Sequence, residues 1–214
     1  IKYEDESFES VSTGPGRIIC TGVENPEKVA EYIAEVPGVA STSPVISTEN
    51  SIESMKQAVQ QFEIGETFGI EASRAGKHEF DSQDIERELG TYVVENKGSE
   101  VDLDNPKTLI EVDTRFDETF VFTKRLQGPQ GFPVGTGDDL AAIISGGIDS
   151  PVAAHEVMKK GSKITPIYFY NKPVAAEDHL LRFKSVIKKL KRFNPSRYWK
   201  IYIVDMEEVN RKLM

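Results

Sequence analysis

The chain of 214 residues has one cysteine, Cys20, no run of apolar residues long enough to cross a membrane, and no surplus of basic side chains. A lone cysteine excludes an internal disulfide framework and any Cys-x-x-Cys metal or redox pair, and it fits a reducing cytoplasm. Nothing approaches the roughly 18 apolar residues of a membrane span. The opening residues Ile1-Lys2-Tyr3-Glu4-Asp5-Glu6 lack both an initiator methionine and the apolar segment of a signal peptide. Residues Glu207 to Met214 read as a helix just beginning. A piece of a longer cytoplasmic protein is therefore expected.

The net charge of -9 at first argues against nucleic acid, but its distribution is uneven. Residues 1–100 carry 20 acidic and 8 basic side chains, whereas residues 137–214 carry 9 and 14. The field is dipolar, with its positive end in the last third of the chain. The densest basic run is Arg182, Lys184, Lys188, Lys189, Lys191, Arg192, Arg197 and Lys200, with no carboxylate from Leu180 through Lys200. Such a run is either a solvated helix face or a surface for a polyanion such as RNA, with Lys188 and Lys189 as candidate contacts.

Periodicity gives the organisation. Ile18 and Ile19 read as part of a strand, Asn25-Pro26 as a helix start, and Val29, Tyr32, Ile33 and Val36 as its apolar stripe, ended by Pro37-Gly38. A strand over 39–45 would follow. A second α+β segment runs from Ser51, a cap for a helix carrying Ile52, Met55, Val59 and Phe62. It continues through a strand over 67–72 and a helix starting near Ser82 with the stripe Ile85, Leu89, Tyr92 and Val93, stopped by Asn96-Lys97-Gly98. Leu109–Val112 and Thr119–Phe122 alternate as a pair of half-buried strands.

Residues 127–137 hold four glycines and two prolines and read as a linker or ordered connecting loop. Beyond them, strands over 140–144, 164–170 and 201–204 alternate with helices over 151–160 and 177–192. That order predicts a parallel sheet covered on both faces. Three strands are few for such a domain, so the remainder is expected past Met214.

Between the strand at 140–144 and the next helix lies Ser145-Gly146-Gly147-Ile148-Asp149-Ser150. Two adjacent glycines allow a sharp bend that turns successive N–H groups toward one point, an anion nest. The following helix adds its unpaired first-turn N–H groups and the positive end of its dipole. Ser150 can cap that helix or meet a phosphate oxygen, and Asp149 is suited to hold Mg²⁺ or to orient the loop. The Gly-x-x-x-x-Gly-Lys-[Ser/Thr] pattern of kinases and GTPases is absent, and no lysine in the loop reaches a terminal phosphate. ATP cleaved at the α-phosphorus fits better than simple γ-phosphate hydrolysis.

The run Ser145 to Ala153 resembles the pyrophosphatase loop of adenylating enzymes. Gly128-Pro129-Gln130-Gly131-Phe132-Pro133-Val134-Gly135-Thr136 before it narrows the resemblance to the tRNA uridine 4-sulfurtransferases, the 4-thiouridine synthetases also tied to thiamine biosynthesis. Residues 82–90, 101–106 and 121–125 look like that family's THUMP domain, and Val36 to Ala40 like the end of its ferredoxin-like domain. The resemblance implies α+β ferredoxin-like and THUMP units followed by a partial α/β parallel-sheet PP-loop ATPase domain. Its divisions are a partial ferredoxin-like domain at 1–50, an RNA-binding THUMP domain at 51–126, a linker at 127–137 and a partial adenine nucleotide alpha-hydrolase-like domain at 138–214.

It implies further that ATP, with Mg²⁺, adenylates O4 of a uridine near the tRNA acceptor stem. A persulfide-carrying donor protein or sulfide then replaces the adenylate with sulfur. Ser145, Gly146, Gly147, Ile148, Asp149 and Ser150 take the ATP role, with Asp149 catalytic and Tyr168-Phe169 in the nucleotide pocket. Arg74, Lys77 and His78 match the basic loop that approaches the tRNA end, with Glu71, Ala75 and Glu79 interspersed. Family members can act as homodimers. No cysteine lies in the part resembling the catalytic domain, so the sulfur-transfer cysteine is expected beyond Met214 and this chain alone is expected to be inactive in sulfur transfer. Two rivals stay open, an amidating ATP pyrophosphatase with the same loop and a non-catalytic RNA-binding module.

Overall fold

The computed structural model describes residues 8–14, 16–171, 177–194 and 199–213. Two compact units emerge: residues 43–125, and a unit assembled from the segments on either side of them. The first of those segments forms a hairpin of β1 (Ser10–Gly14) and β2 (Arg17–Thr21), then α1 (Pro26–Ile33) and the short β3 (Ser41–Thr42). Asn25 caps α1 by accepting the Lys28 N–H at 3.1 Å, and Pro26 occupies a first-turn position where a missing N–H costs nothing. The strand expected over 39–45 is broken. Pro44 has no N–H to give a ladder, so β3 stops at Thr42 and the chain resumes a strand only at Ile46.

The 43–125 unit contains β4 (Ile46–Thr48), α2 (Ile52–Gln60), β5 (Thr67–Arg74), α3 (Ser82–Lys97), β6 (Glu100–Val101), β7 (Thr108–Thr114) and β8 (Thr119–Phe122). They make a five-stranded mixed sheet in the order β4-β8-β7-β5-β6, with β5 parallel to both neighbours and the β8 pairings antiparallel. Ile85, Leu89 and Val93, one helical turn apart on α3, join Met55 and Val59 of α2 over Phe68, Ile110, Val112 and Val121 of the sheet. Each such side chain contributes roughly 1.5–3 kcal/mol by leaving water.

Strand β8 is buried along its whole length, not on alternate residues. The Arg125 guanidinium lies 5.2 Å from the Phe122 ring centroid and is paired with Glu111, which raises its pKa above the usual arginine value. The turn joining β7 and β8 closes with the Arg115 N–H on Glu118 O at 2.8 Å. Asn50 fixes it, donating to Arg115 O at 2.8 Å and accepting from Thr119 Oγ1 at 2.8 Å.

After this unit, β9 (Leu126–Gln127) returns to pair antiparallel with β3. The glycine- and proline-rich stretch that follows is an ordered loop fastened at both edges. Gly128 N–H reaches Ala40 O and Gln130 N–H reaches Val39 O. Further along, Phe132 N–H reaches Lys159 O, and the N–H groups of Gly135 and Gly137 both reach Gly161 O. Glycine is required here for close approach: a Cβ on Gly128 would stand 2.2 Å from Val39 O, and one on Gly131 2.2 Å from Lys159 O.

The last elements are β10 (Asp139–Ile143), α4 (Asp149–Lys159), β11 (Lys163–Tyr170), α5 (Glu177–Lys191), β12 (Tyr202–Asp205) and α6 (Glu207–Leu213). The three strands form a parallel sheet in chain order. Ala154 and Met158 of α4 and Phe183, Ile187 and Leu190 of α5 pack with Ile144, Ile164 and Tyr168 in one core. Expected to be covered on both faces, this sheet is covered on one among the described residues, and Ile143 and Phe169 stay exposed. Both helices cover the same side.

Candidate nucleotide site

Strand β10 ends at Ile143 and α4 starts at Asp149, so the Ser-Gly-Gly-Ile-Asp-Ser loop hangs at the carboxyl end of a parallel strand. Open α/β sheets bind ligands at that end. Above the loop is a cavity of about 450 Å³ lined by Ile143, Ile144, Ser145, Gly146, Gly147, Tyr168, Phe169, Asn171, His179 and Arg182. Its size falls within the roughly 300–1,000 Å³ common for small-molecule sites.

The loop's donors divide in two. Ser145 N–H donates to Ser150 Oγ at 2.9 Å and Gly147 N–H to Ser145 Oγ at 3.2 Å, so two amides are held by hydroxyls of the loop itself. The N–H groups of Gly146, Ile148 and Asp149 donate to no acceptor among the described residues. Helix α4 has Ile148 at its N-cap position with no side-chain cap, which leaves its first-turn donors to a ligand or water. Ser150, a candidate cap in the sequence, instead turns its hydroxyl back to Ser145, and the helix begins two residues before Pro151.

Neither loop glycine occupies the left-handed region, so their use here is room and not a positive φ. A Cβ on Gly146 would meet Arg182 Cβ at 3.4 Å, and one on Gly147 would meet Ser145 Oγ at 3.3 Å. Tyr168, 6% exposed, stacks on Phe183 with centroids 4.5 Å apart and forms the cavity's rigid wall. Phe169, 39% exposed, is its accessible edge. Asp149 is exposed at the start of α4; it, Ile148 and Ser150 continue the loop without lining the cavity.

Arg74 ends β5, with Lys77 and His78 in the loop after it. His78 packs against Phe80, its Nε2 3.0 Å from Ala75 O, and the exposed Phe116 ring lies beside Gly76. Lys188 and Lys189 are exposed on α5, which belongs to the other unit. Arg197 of the same basic run lies outside the described residues. His155 is packed against Phe193, centroids 4.4 Å apart.

Two family models match, the THUMP domain over residues 48–124 and the thiamine biosynthesis protein ThiI over 135–214. A probable tRNA sulfurtransferase of Halobacterium salinarum is 36% identical over 179 residues, and one of Methanothermobacter thermautotrophicus 30% over 189. The chain belongs to the ThiI-like tRNA sulfurtransferase family. The chain spans about half the length of these relatives: the alignments cover 80% and 83% of this chain but 46% and 48% of the relatives. Among solved structures, PH1313 from Pyrococcus horikoshii shares the fold of this sulfurtransferase-family chain, with a TM-score of 0.83 over 98% of it and 72% of PH1313 at 24% identity. A 4-thiouridine synthetase solved as an RNA complex with bound ATP gives the same TM-score over 94% of this chain and 54% of that one, at 25% identity.

Asn171, His179 and Arg182 line the cavity of this sulfurtransferase-family chain, yet no loop motif announces them. They come from the end of β11 and from α5, more than twenty residues past the glycines. The helical spacing of His179 and Arg182, one turn apart at the start of an amphipathic helix, was the only available signal.

Proposed function

We propose that this chain binds ATP above the Ser145–Ser150 loop and forms the nucleotide-binding and RNA-engaging part of an enzyme that thiolates a tRNA uridine. The observation that carries the reading is the cavity at the carboxyl end of β10, with uncommitted N–H groups of Gly146, Ile148 and Asp149 beside it. The relatives' name, the match to a THUMP domain and the ATP-bound, RNA-bound synthetase of like fold support it. In this reading residues 1–50 are part of a ferredoxin-like unit, 51–126 the THUMP domain, 127–137 the connecting loop and 138–214 part of the PP-loop domain.

The chemistry follows from the uracil carbonyl, whose oxygen is a poor leaving group. Uridine O4 bonds to the α-phosphorus of ATP, the bond from that phosphorus to the bridging oxygen breaks, pyrophosphate departs with the electron pair, and the N3 proton passes to solvent. The terminal sulfur of a donor persulfide then bonds to C4, AMP leaves with the electron pair of the C4–O bond, and a second thiol breaks the S–S bond by forming a disulfide with the carrier sulfur; free sulfide would bond to C4 directly with loss of AMP. The loop N–H groups and the start of α4 would meet the charge that grows on pyrophosphate. Tyr168 and Phe169 would flank the nucleoside, while Arg74, Lys77 and His78, with Lys188 and Lys189, would contact tRNA.

For Mg²⁺ the donor set fits in one form only. The described residues hold no group of three or more His, Cys, Asp or Glu able to cage a metal ion. Asp149 would be the one carboxylate beside an ion carried by the phosphates, an arrangement Mg²⁺ often adopts. When bound, the ion would neutralise phosphate charge. Among the described residues no helix is long and apolar enough to cross a membrane; in this reading the enzyme works in the cytoplasm, as a monomer or a homodimer.

Calorimetric titration of the chain with ATP tests the site. Binding is expected for the parent and loss for Gly147→Val and Asp149→Ala; a parent chain that takes up no ATP overturns the reading. For the full-length protein, tRNA with ATP and a persulfide donor should yield 4-thiouridine, and amidation of a small acid with unchanged tRNA would assign a different enzyme.

A further inference from the structure

We propose that Arg182 supplies the cation the phosphate loop lacks, its guanidinium holding the phosphates of the bound nucleotide; this rests on the ATP reading above. From Asp139 through Pro151 the only charged side chains are Asp139 and Asp149, both negative, so the loop as a sequence offers a polyanion amides but no positive side chain. Of the described residues lining the cavity, Arg182 alone carries a permanent charge. Its position is set by the fold. Arg182 Cβ and Cδ lie 3.4 and 3.9 Å from the point a Gly146 Cβ would occupy, with His179 O at 3.6 Å. A Cβ at 146 would stand in van der Waals contact with Arg182, so α5 runs against the loop and brings its arginine to the cavity that Gly146, with its free amide, also lines.

Arg182 begins the basic run that extends to Lys200 and is exposed on α5 like Lys188 and Lys189, but of the three it alone lines the cavity. The run thus divides into one nucleotide residue and a set available to RNA. A planar guanidinium suits two oxygens of one phosphate, or of adjacent phosphates, better than a lysine ammonium does. As pyrophosphate separates from the α-phosphorus, the same group would stabilise the accumulating charge.

The test titrates ATP, inorganic pyrophosphate and adenosine into the whole chain and its Arg182→Met and Arg182→Lys variants, with RNA affinity measured in parallel. Arg182→Met is expected to weaken ATP and pyrophosphate by roughly tenfold to a hundredfold, with adenosine affinity retained and Arg182→Lys in between. Retained adenosine binding also shows that the variant is folded. Unchanged ATP affinity in Arg182→Met, with the parent binding ATP, overturns this proposal and leaves the site reading standing. Equal loss of ATP and adenosine assigns Arg182 a structural role and overturns it, as does a loss confined to RNA. A parent chain that binds no ATP removes both.

Discussion

The helices α2 and α3 start in one way and α4 in the opposite way. At α3 the donors are closed off by a reciprocal cap, Asp81 Oδ1 taking the Asp84 N–H at 2.8 Å and Asp84 Oδ2 taking the Asp81 N–H at 3.0 Å. At α2 the Ser51 hydroxyl does the same for Ser54 N–H. At α4 no side chain caps, the N-cap residue Ile148 is 82% exposed, and the nearest hydroxyl, Ser150, serves a residue upstream. A helix whose first amides are closed by its own side chains has spent them on stability. One whose amides are open beside a cavity leaves them available to an anion.

Substitutions that exchange these roles break the comparison, and the largest effect is expected at the glycines. Gly146→Val puts a branched side chain between the loop and Arg182 and should weaken ATP by roughly a hundredfold or more, with a near-parental melting temperature because the cavity is open. Next is Ile148→Asp, which sets a carboxylate at the uncapped start of α4. ATP affinity should fall by roughly tenfold, read by the same calorimetry, because the new charge repels phosphate and competes for the amides.

Asp81→Ala should act the other way round, costing about 1 kcal/mol in urea unfolding with ATP affinity unchanged. The smallest effect is a pH dependence. The N–H of Asp81 and then the Arg87 guanidinium hold the Asp84 carboxyl below its ordinary value of 3.8. A lowered folded value means the stabilisation is present above 3.8 and is lost as pH falls through the lower folded pKa. Asp84→Asn should therefore flatten the acid side of a plot of melting temperature against pH and leave neutral pH little changed apart from the lost charge.

Much of this contrast was legible in the sequence, because local rules govern it. Gly98 does end α3 in the left-handed conformation, Ser51 does cap α2, and the Gly-Gly bend does lie between a parallel strand and a helix. The parts that escaped depend on distant residues. The pairing of β3 with β9 joins positions more than eighty residues apart, and β6 adds only two residues to the sheet edge, so neither leaves a periodic pattern. Ser150 has the hydroxyl that favours a cap position, but that hydroxyl accepts the amide of Ser145, five residues earlier, at 2.9 Å. Arg182 read as one member of a basic run, since only the packing of α5 against Gly146 separates it from Lys188 and Lys189.

The most direct test of the open-start account follows the backbone amides themselves. In two-dimensional NMR of the labelled chain titrated with ATP, the Gly146, Ile148 and Asp149 amide signals should shift together and saturate, while those of Asp81 and Asp84 stay in place. Saturating ATP that leaves the three loop amides unmoved would contradict it.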